Sequence, residues 1–226
     1  MSETPHYVNL NGKEHLLEDV FFAGLHDQFR NTYMKLSGKV HMLGVCFYPE
    51  GFYPFFKIPV SEFKNQLLGA IEVGFNLTNT INEQLKAAPD IATRLSILEN
   101  KLLSLLNDSN YMFENFRQIF NVLKQNDFSI QISEFCQQND INIRKLERMF
   151  NKYVGVSAKT YGTINRFQNS LNQILYSDYA KFTDIAYDNS YFDQTHFTKE
   201  FKRFAGNTPK NFVHQKNSIL QIGKLT

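Results

Sequence analysis

The sequence predicts an α+β chain: short strands in the first third, then helices ending in a duplicated two-helix unit. Three observations carry this. Apolar runs of strand length, broken by turn residues, are confined to the first 58 residues. From about residue 90 onward the apolar residues recur at three- and four-residue steps. Two stretches of the C-terminal half can be laid over each other at a near-constant offset.

The strand candidates are DVFFAGL (19–25), TYMKL (32–36) and VHMLGVCFY (40–48), separated by HDQ, SGK and PEG. SEFKNQL (61–67) is expected to open a helix capped by Ser61. The aromatic segment FYPEGFYPFF either lines a small pocket or plugs a small barrel, and clustered aromatics favour the plug. Two helices separated by Pro89 follow, the second capped by Asp90. In that second helix Ile91, Leu95, Leu98, Leu102 and Leu105 step by four, three, four and three, a two-heptad seam. Such a seam fits a core-facing helix or a homodimer formed through 90–107. YMFENFRQIFNVLKQ (111–125) places Met112, Phe116, Ile119 and Leu123 on one face. The expected domains are 1–75 (strand-rich), 76–108 (connecting helices) and 109–226.

The duplication organises the last part. ISEFC (132–136) lies over FTDIA (182–186) at an offset of 50. LERMF (146–150) over FTKEF (197–201), and GVSA (155–158) over GNTP (206–209), lie at 51, so one residue has been added between the two elements. Each copy reads as a short helix, a polar turn (QNDI or DNSY) and a second helix beginning at Asn142 or Asp193, both good N-caps. Leu146, Met149 and Phe150, or Phe197 and Phe201, face inward. Gly155 and Gly206 suit a left-handed helix stop, Ser157 and Thr208 cap the next helices, and Pro209 takes a first helical position. Between the copies, 159–178 reads as one linker helix with Tyr161, Ile164, Phe167, Leu171, Ile174 and Leu175 as its apolar stripe.

Two short helices joined by a tight turn form a helix-turn-helix, whose second helix enters the DNA major groove. The predicted recognition helices are 142–154 and 193–205. Gln194, Thr195 and His196 crowd the start of the latter with groups that donate and accept hydrogen bonds. In the former, Arg144 and Arg148 lie four apart, each able to make a two-bond contact to guanine. Charge agrees: residues 1–126 hold 11 Lys+Arg against 13 Asp+Glu, whereas 127–226 hold 13 against 9.

The residues from about 110 to 214 resemble the DNA-binding domain of the AraC/XylS family of bacterial transcription regulators. FTDIAYDNSYFDQTHFTKEFKRFAGNTPKNF carries most of the likeness, and LERMFNKYVGVSAKTY with Arg166 the remainder. The resemblance implies base contacts from Arg144, Glu147, Arg148, Gln194, Thr195, His196 and Lys199. Lys145, Lys152, Lys202, Arg203 and Lys210 are expected on phosphates. Arg166 either touches a phosphate or pairs with an acidic residue, and pairing is favoured. Where the family usually has Gly then Phe, this chain has Ser190 and Tyr191, so Asn189 is expected to take the positive-φ conformation. Ala158 stands where Pro is common. The N-terminal half is similar to a shortened form of the β-domain of one subgroup.

The implied partners are double-stranded DNA and RNA polymerase, with a small-molecule effector left open. A protein-interaction module that keeps the fold without DNA binding is the alternative. Cys46 and Cys136 are expected as buried free thiols of a cytoplasmic protein. No apolar run approaches a membrane span and MSETPHYVNL lacks a signal-peptide pattern. The six histidines show no metal-ligand spacing, no Gly-rich phosphate loop is present, and neither a cofactor nor an enzymatic activity is expected.

Overall fold

The computed structural model describes residues 6–10, 12–38, 40–74, 78–106, 111–128, 130–177 and 181–214. By contacts the chain forms two compact units. The first comprises Met1–His26, Arg30–Ile119 and Glu147–Val156; the second comprises Asp27–Phe29, Phe120–Leu146 and Ser157–Thr226.

In the first unit, β1 (His6–Leu10) sits between β2 (Lys13–Leu17) and β4 (Thr32–Lys35), antiparallel to both. Leu10 pairs with Lys13, and Gly12 has φ +90°. Glycine supplies positive φ at little cost, and the Asn-Gly pair in the sequence is a hairpin signal that the strand reading overlooked. A second sheet pairs β3 (Phe21–Ala23) with β5 (Leu67–Gly69), Phe21 opposite Gly69.

Two expectations are corrected here. Residues 40–48 are not a strand: β3 takes 67–69 as its partner, and Met42, Leu43 and Val45 stay exposed. Strand propensity without a ladder to join does not make a strand. Residues 61–67 are not a helix either. A single 3-10 turn spans Val60–Phe63, Lys64 is extended and Asn65 has φ +59°, which stops any continuation.

The aromatic segment forms a one-turn helix, α1 (Tyr53–Phe56). Its rings pack on one another: Phe52 stacks on Phe56 at 4.5 Å, and Phe22, Phe47 and Phe63 meet them edge-on or tilted at 5.0–5.8 Å. Next come α2 (Thr78–Ala87) and α3 (Ile91–Leu105), with the Asp90 carboxylate accepting from the Thr93 amide at 2.7 Å. None of the residues of α3 is buried, and Ile91 and Leu95 are more than half exposed. Leu98, Leu102 and Leu105, the rest of the seam, are half-buried.

The helix α4 (Tyr111–Gln125) buries Phe116, Phe120 and Leu123, while Met112 is exposed and Ile119 half-buried. The buried stripe is rotated from the expected one because Phe116 and Phe120 are the larger anchors. In the first unit Phe116 meets Phe150 and Tyr153; in the second, Phe120 meets Phe128 and Tyr161.

The remaining helices are α5 (Ile132–Gln138), α6 (Ile143–Tyr153), α7 (Ala158–Tyr176), α8 (Phe182–Asp188), α9 (Gln194–Ala205) and α10 (Pro209–His214). All were expected, although the linker ends at Tyr176 and Asp178 lies outside the described residues. Leu146, Met149 and Phe150 are buried on α6. In the second unit Phe167, Ile174, Ile185, Ala186, Tyr191, Phe197, Phe201 and Phe212 form one core. Gly206 ends α9 with φ +74°, and the Phe29 ring lies 2.7 Å from where a Cβ would stand. Phe29 is held there by its own amide, which donates to the Arg203 carbonyl at 2.7 Å. Cys136 is buried as expected but Cys46 is exposed, since its segment joins no sheet.

Candidate nucleic-acid interface

The two helix-turn-helix units share one turn, bond for bond. Asn139 and Asn189 both donate through Nδ2 to the carbonyl four residues back, Phe135 at 2.9 Å and Ile185 at 2.8 Å. The next residue of each copy is left-handed, Asp140 with φ +51° and Ser190 with φ +58°. The residue after that donates its amide to the carbonyl five back, Ile141 to Cys136 and Tyr191 to Ala186, both at 2.9 Å. This is the Schellman closure of a helix, repeated in both copies. It corrects the expectation for Asn189, whose φ is −102°. Asn189 ends α8 with its side chain bonded to Ile185 and Gln173, so the reversal falls one residue later.

The second helices then start in the same way. Asn142 Oδ1 accepts from the amides of Arg144 (2.9 Å) and Lys145 (3.3 Å), and Asp193 Oδ1 accepts from the His196 amide (2.6 Å). Between Ile141 and Asn142 there is no residue; between Tyr191 and Asp193 there is Phe192. The step in offset from 50 to 51 is therefore this phenylalanine, which is 87% exposed. Sequence reasoning detected the extra residue without singling it out.

On α6, Arg144, Lys145, Glu147 and Arg148 are exposed beside the buried Leu146 and Met149. Lys152 is more enclosed. Its ammonium lies 4.9 Å from the Tyr53 ring centre and 5.2 Å from that of Tyr153, and the hydrogen bond to Tyr53 holds its pKa above the usual lysine value. On α9, Gln194, Thr195, Lys199, Lys202 and Arg203 are exposed, as is Lys210 on α10. The Arg203 guanidinium rests 5.0 Å from the Phe204 ring centre. His196 turns partly inward: its ring meets Tyr191 edge-on at 5.4 Å, and Nε2 lies 3.6 Å from Glu200 Oε2.

Behind α9 is a buried polar network. Arg166 on α7 donates from Nε to Glu200 Oε1 (3.0 Å) and from Nη2 to Oε2 (2.6 Å), and its guanidinium stacks 4.6 Å from the Tyr191 ring centre. This is the acidic partner expected for Arg166. Burial opposes the arginine charge, but the hydrogen bonds and charge of Glu200 outweigh it and raise the pKa. Tyr191 is also pushed well above the ordinary phenol range, first by burial and then by the Glu200 carboxylate. The pair orients α9 on the linker and leaves its first turn, Gln194 and Thr195, facing solvent.

Among the described residues no helix is long and apolar enough to cross a membrane. Two family models match the chain: a helix-turn-helix domain over residues 135–215 and a domain of unknown function, DUF6597, over residues 4–69. No curated protein matches it. Among solved structures, apo ToxT from Vibrio cholerae strain SCE256, as a point variant, is similar at 13% identity and a TM-score of 0.46, covering 93% of this chain and 85% of that one. Residues 135–215 thus carry a helix-turn-helix domain, preceded in the chain by a short strand-bearing domain.

Proposed function

We propose that this chain is a DNA-binding transcription regulator that reads double-stranded DNA with two helices, α6 and α9, each placed in a major groove. The observation that carries the reading is the repeated turn: the same left-handed residue, closing bond and N-cap precede an exposed, hydrogen-bonding first turn in both copies. Base contacts come from Arg144, Glu147, Arg148, Gln194, Thr195 and Lys199, with His196 at the inner edge. Phosphate contacts come from Lys145, Lys202, Arg203 and Lys210, and Lys152 joins them by leaving the tyrosine rings. The exposure of Ile91 and Leu95 at the start of the α3 seam supports a homodimer through 90–107, of which 90–106 is described.

The test is selection from random duplexes of about 25 base pairs with the full chain, followed by titration in salt. A two-part motif spaced about one helical turn, with a steep salt dependence, is expected. Binding without an enriched motif would leave the interaction module as the better reading.

A further inference from the structure

Phe192 is the one residue that the second helix-turn-helix has and the first lacks, and it stands at the mouth of α9. At 87% exposure it is the most exposed large apolar side chain among the described residues. Its position is fixed from both sides. Tyr191, immediately before it, is 3% exposed, donates its amide to Ala186 and packs its ring on Phe197. Asp193, immediately after it, caps α9 through the amide of His196. With one neighbour drawn into the core and the other bonded to the helix end, the Phe192 side chain projects outward. A phenyl ring left in water contributes little to folding, so a contact outside the chain is the natural place for its burial.

The surroundings narrow what that contact is. The residues that follow, Asp193, Gln194 and Thr195, are all exposed and polar. A single apolar ring beside hydrogen-bonding groups does not make a protein-docking patch, which needs contiguous apolar area. It does match the floor of a major groove, where donors and acceptors are interrupted by one apolar group, the 5-methyl of thymine. The ring has nothing to offer a phosphate.

We propose that Phe192 seats its ring on a thymine methyl group at the base pair adjoining those read by Gln194 and Thr195, and so sets specificity there. The proposal rests on α9 being a groove-reading helix. It is tested by selecting duplexes from a random pool with the full chain and with Phe192→Ala in parallel, then replacing the flanking thymine by uracil. The native chain should enrich a thymine at that flank, and Phe192→Ala should lose that preference while keeping the rest of the motif. Uracil, which lacks the methyl, should weaken the native chain about fourfold and the variant not at all. The same motif from both proteins, no thymine at the flank, or an equal uracil effect in both overturns the proposal while groove reading stands. A variant with unchanged DNA selection that fails to regulate a reporter also overturns it, in favour of a protein contact. No motif from the native chain overturns the groove reading and this inference together.

Discussion

Arg166 and Glu200 meet through two hydrogen bonds of 3.0 and 2.6 Å, with the carboxylate side chain only 9% exposed and Tyr191 stacked on the guanidinium. The guanidinium is thereby committed to holding α9 on the linker helix. Arg166→Ala leaves a buried carboxylate without its counter-charge and is expected to destabilise the second unit by about 3 kcal/mol. Urea unfolding of the full chain measures this. Recovery of part of that loss in the Arg166→Ala/Glu200→Ala double variant is the accompanying expectation, because the stranded charge is gone. An Arg166→Ala chain as stable as the parent would show the pair to be incidental.

Tyr191 gives a pH dependence of definite sign. Its folded-state pKa is raised by burial and by Glu200, so the folded chain keeps the phenol proton where the unfolded chain loses it. Its contribution to stability is complete below the unfolded value of about 10 and falls as pH rises above it. Tyr191→Phe should flatten the alkaline limb of a stability–pH curve while leaving its slope between pH 6 and 9 unchanged, limits set about the same phenol value. A limb equally steep in the variant would place the titration elsewhere.

Asp140 and Ser190 hold left-handed backbone that glycine adopts without strain. Asp140→Gly and Ser190→Gly should each raise stability by about 0.5–1 kcal/mol, seen as a higher urea midpoint at unchanged slope. The loss of unfolded-state restriction works against glycine, so a zero or negative change at both positions would mean that the turn is not strained.

The proposed base and phosphate roles separate by their salt behaviour. Gln194→Ala should relax preference at one or two base pairs, costing about 1–3 kcal/mol on the selected site. Lys202→Ala should weaken all duplexes alike and reduce the salt slope by about one unit. Fluorescence anisotropy over a salt series distinguishes them, and identical profiles for the two variants would contradict the assignment.

Much of the C-terminal fold was legible because its signals are local. Caps at Asn142, Ser157 and Asp193, glycine stops at 155 and 206, and three- and four-step anchors each act within a few residues. The left-handed turn residue was misplaced by one because Asn tolerates positive φ better than Ser. What decided it was the Asn189 side chain, already spent on the Ile185 carbonyl and Gln173. The inward turn of His196 and the seat of Lys152 on Tyr53 depend on neighbours distant in sequence, and no local pattern announces them. Strands failed for the same reason: 40–48 and 67–69 differ less in propensity than in whether β3 is free to pair.

The packing of Glu147–Val156 within the first unit bears on how such a protein can be taken apart and recombined. Tyr153 packs on Tyr53, Phe113 and Phe116, and at Gly155, with φ +88°, a Cβ would stand 2.9 Å from the Val60 carbonyl. The end of α6 is therefore finished in part by side chains encoded about a hundred residues upstream. A chimera cut at the apparent border near residue 109 would part that helix from its own bedding. A transplant that respects the packing has to carry the Tyr53–Val60 segment along, so the exchangeable piece of this protein is discontinuous in the gene.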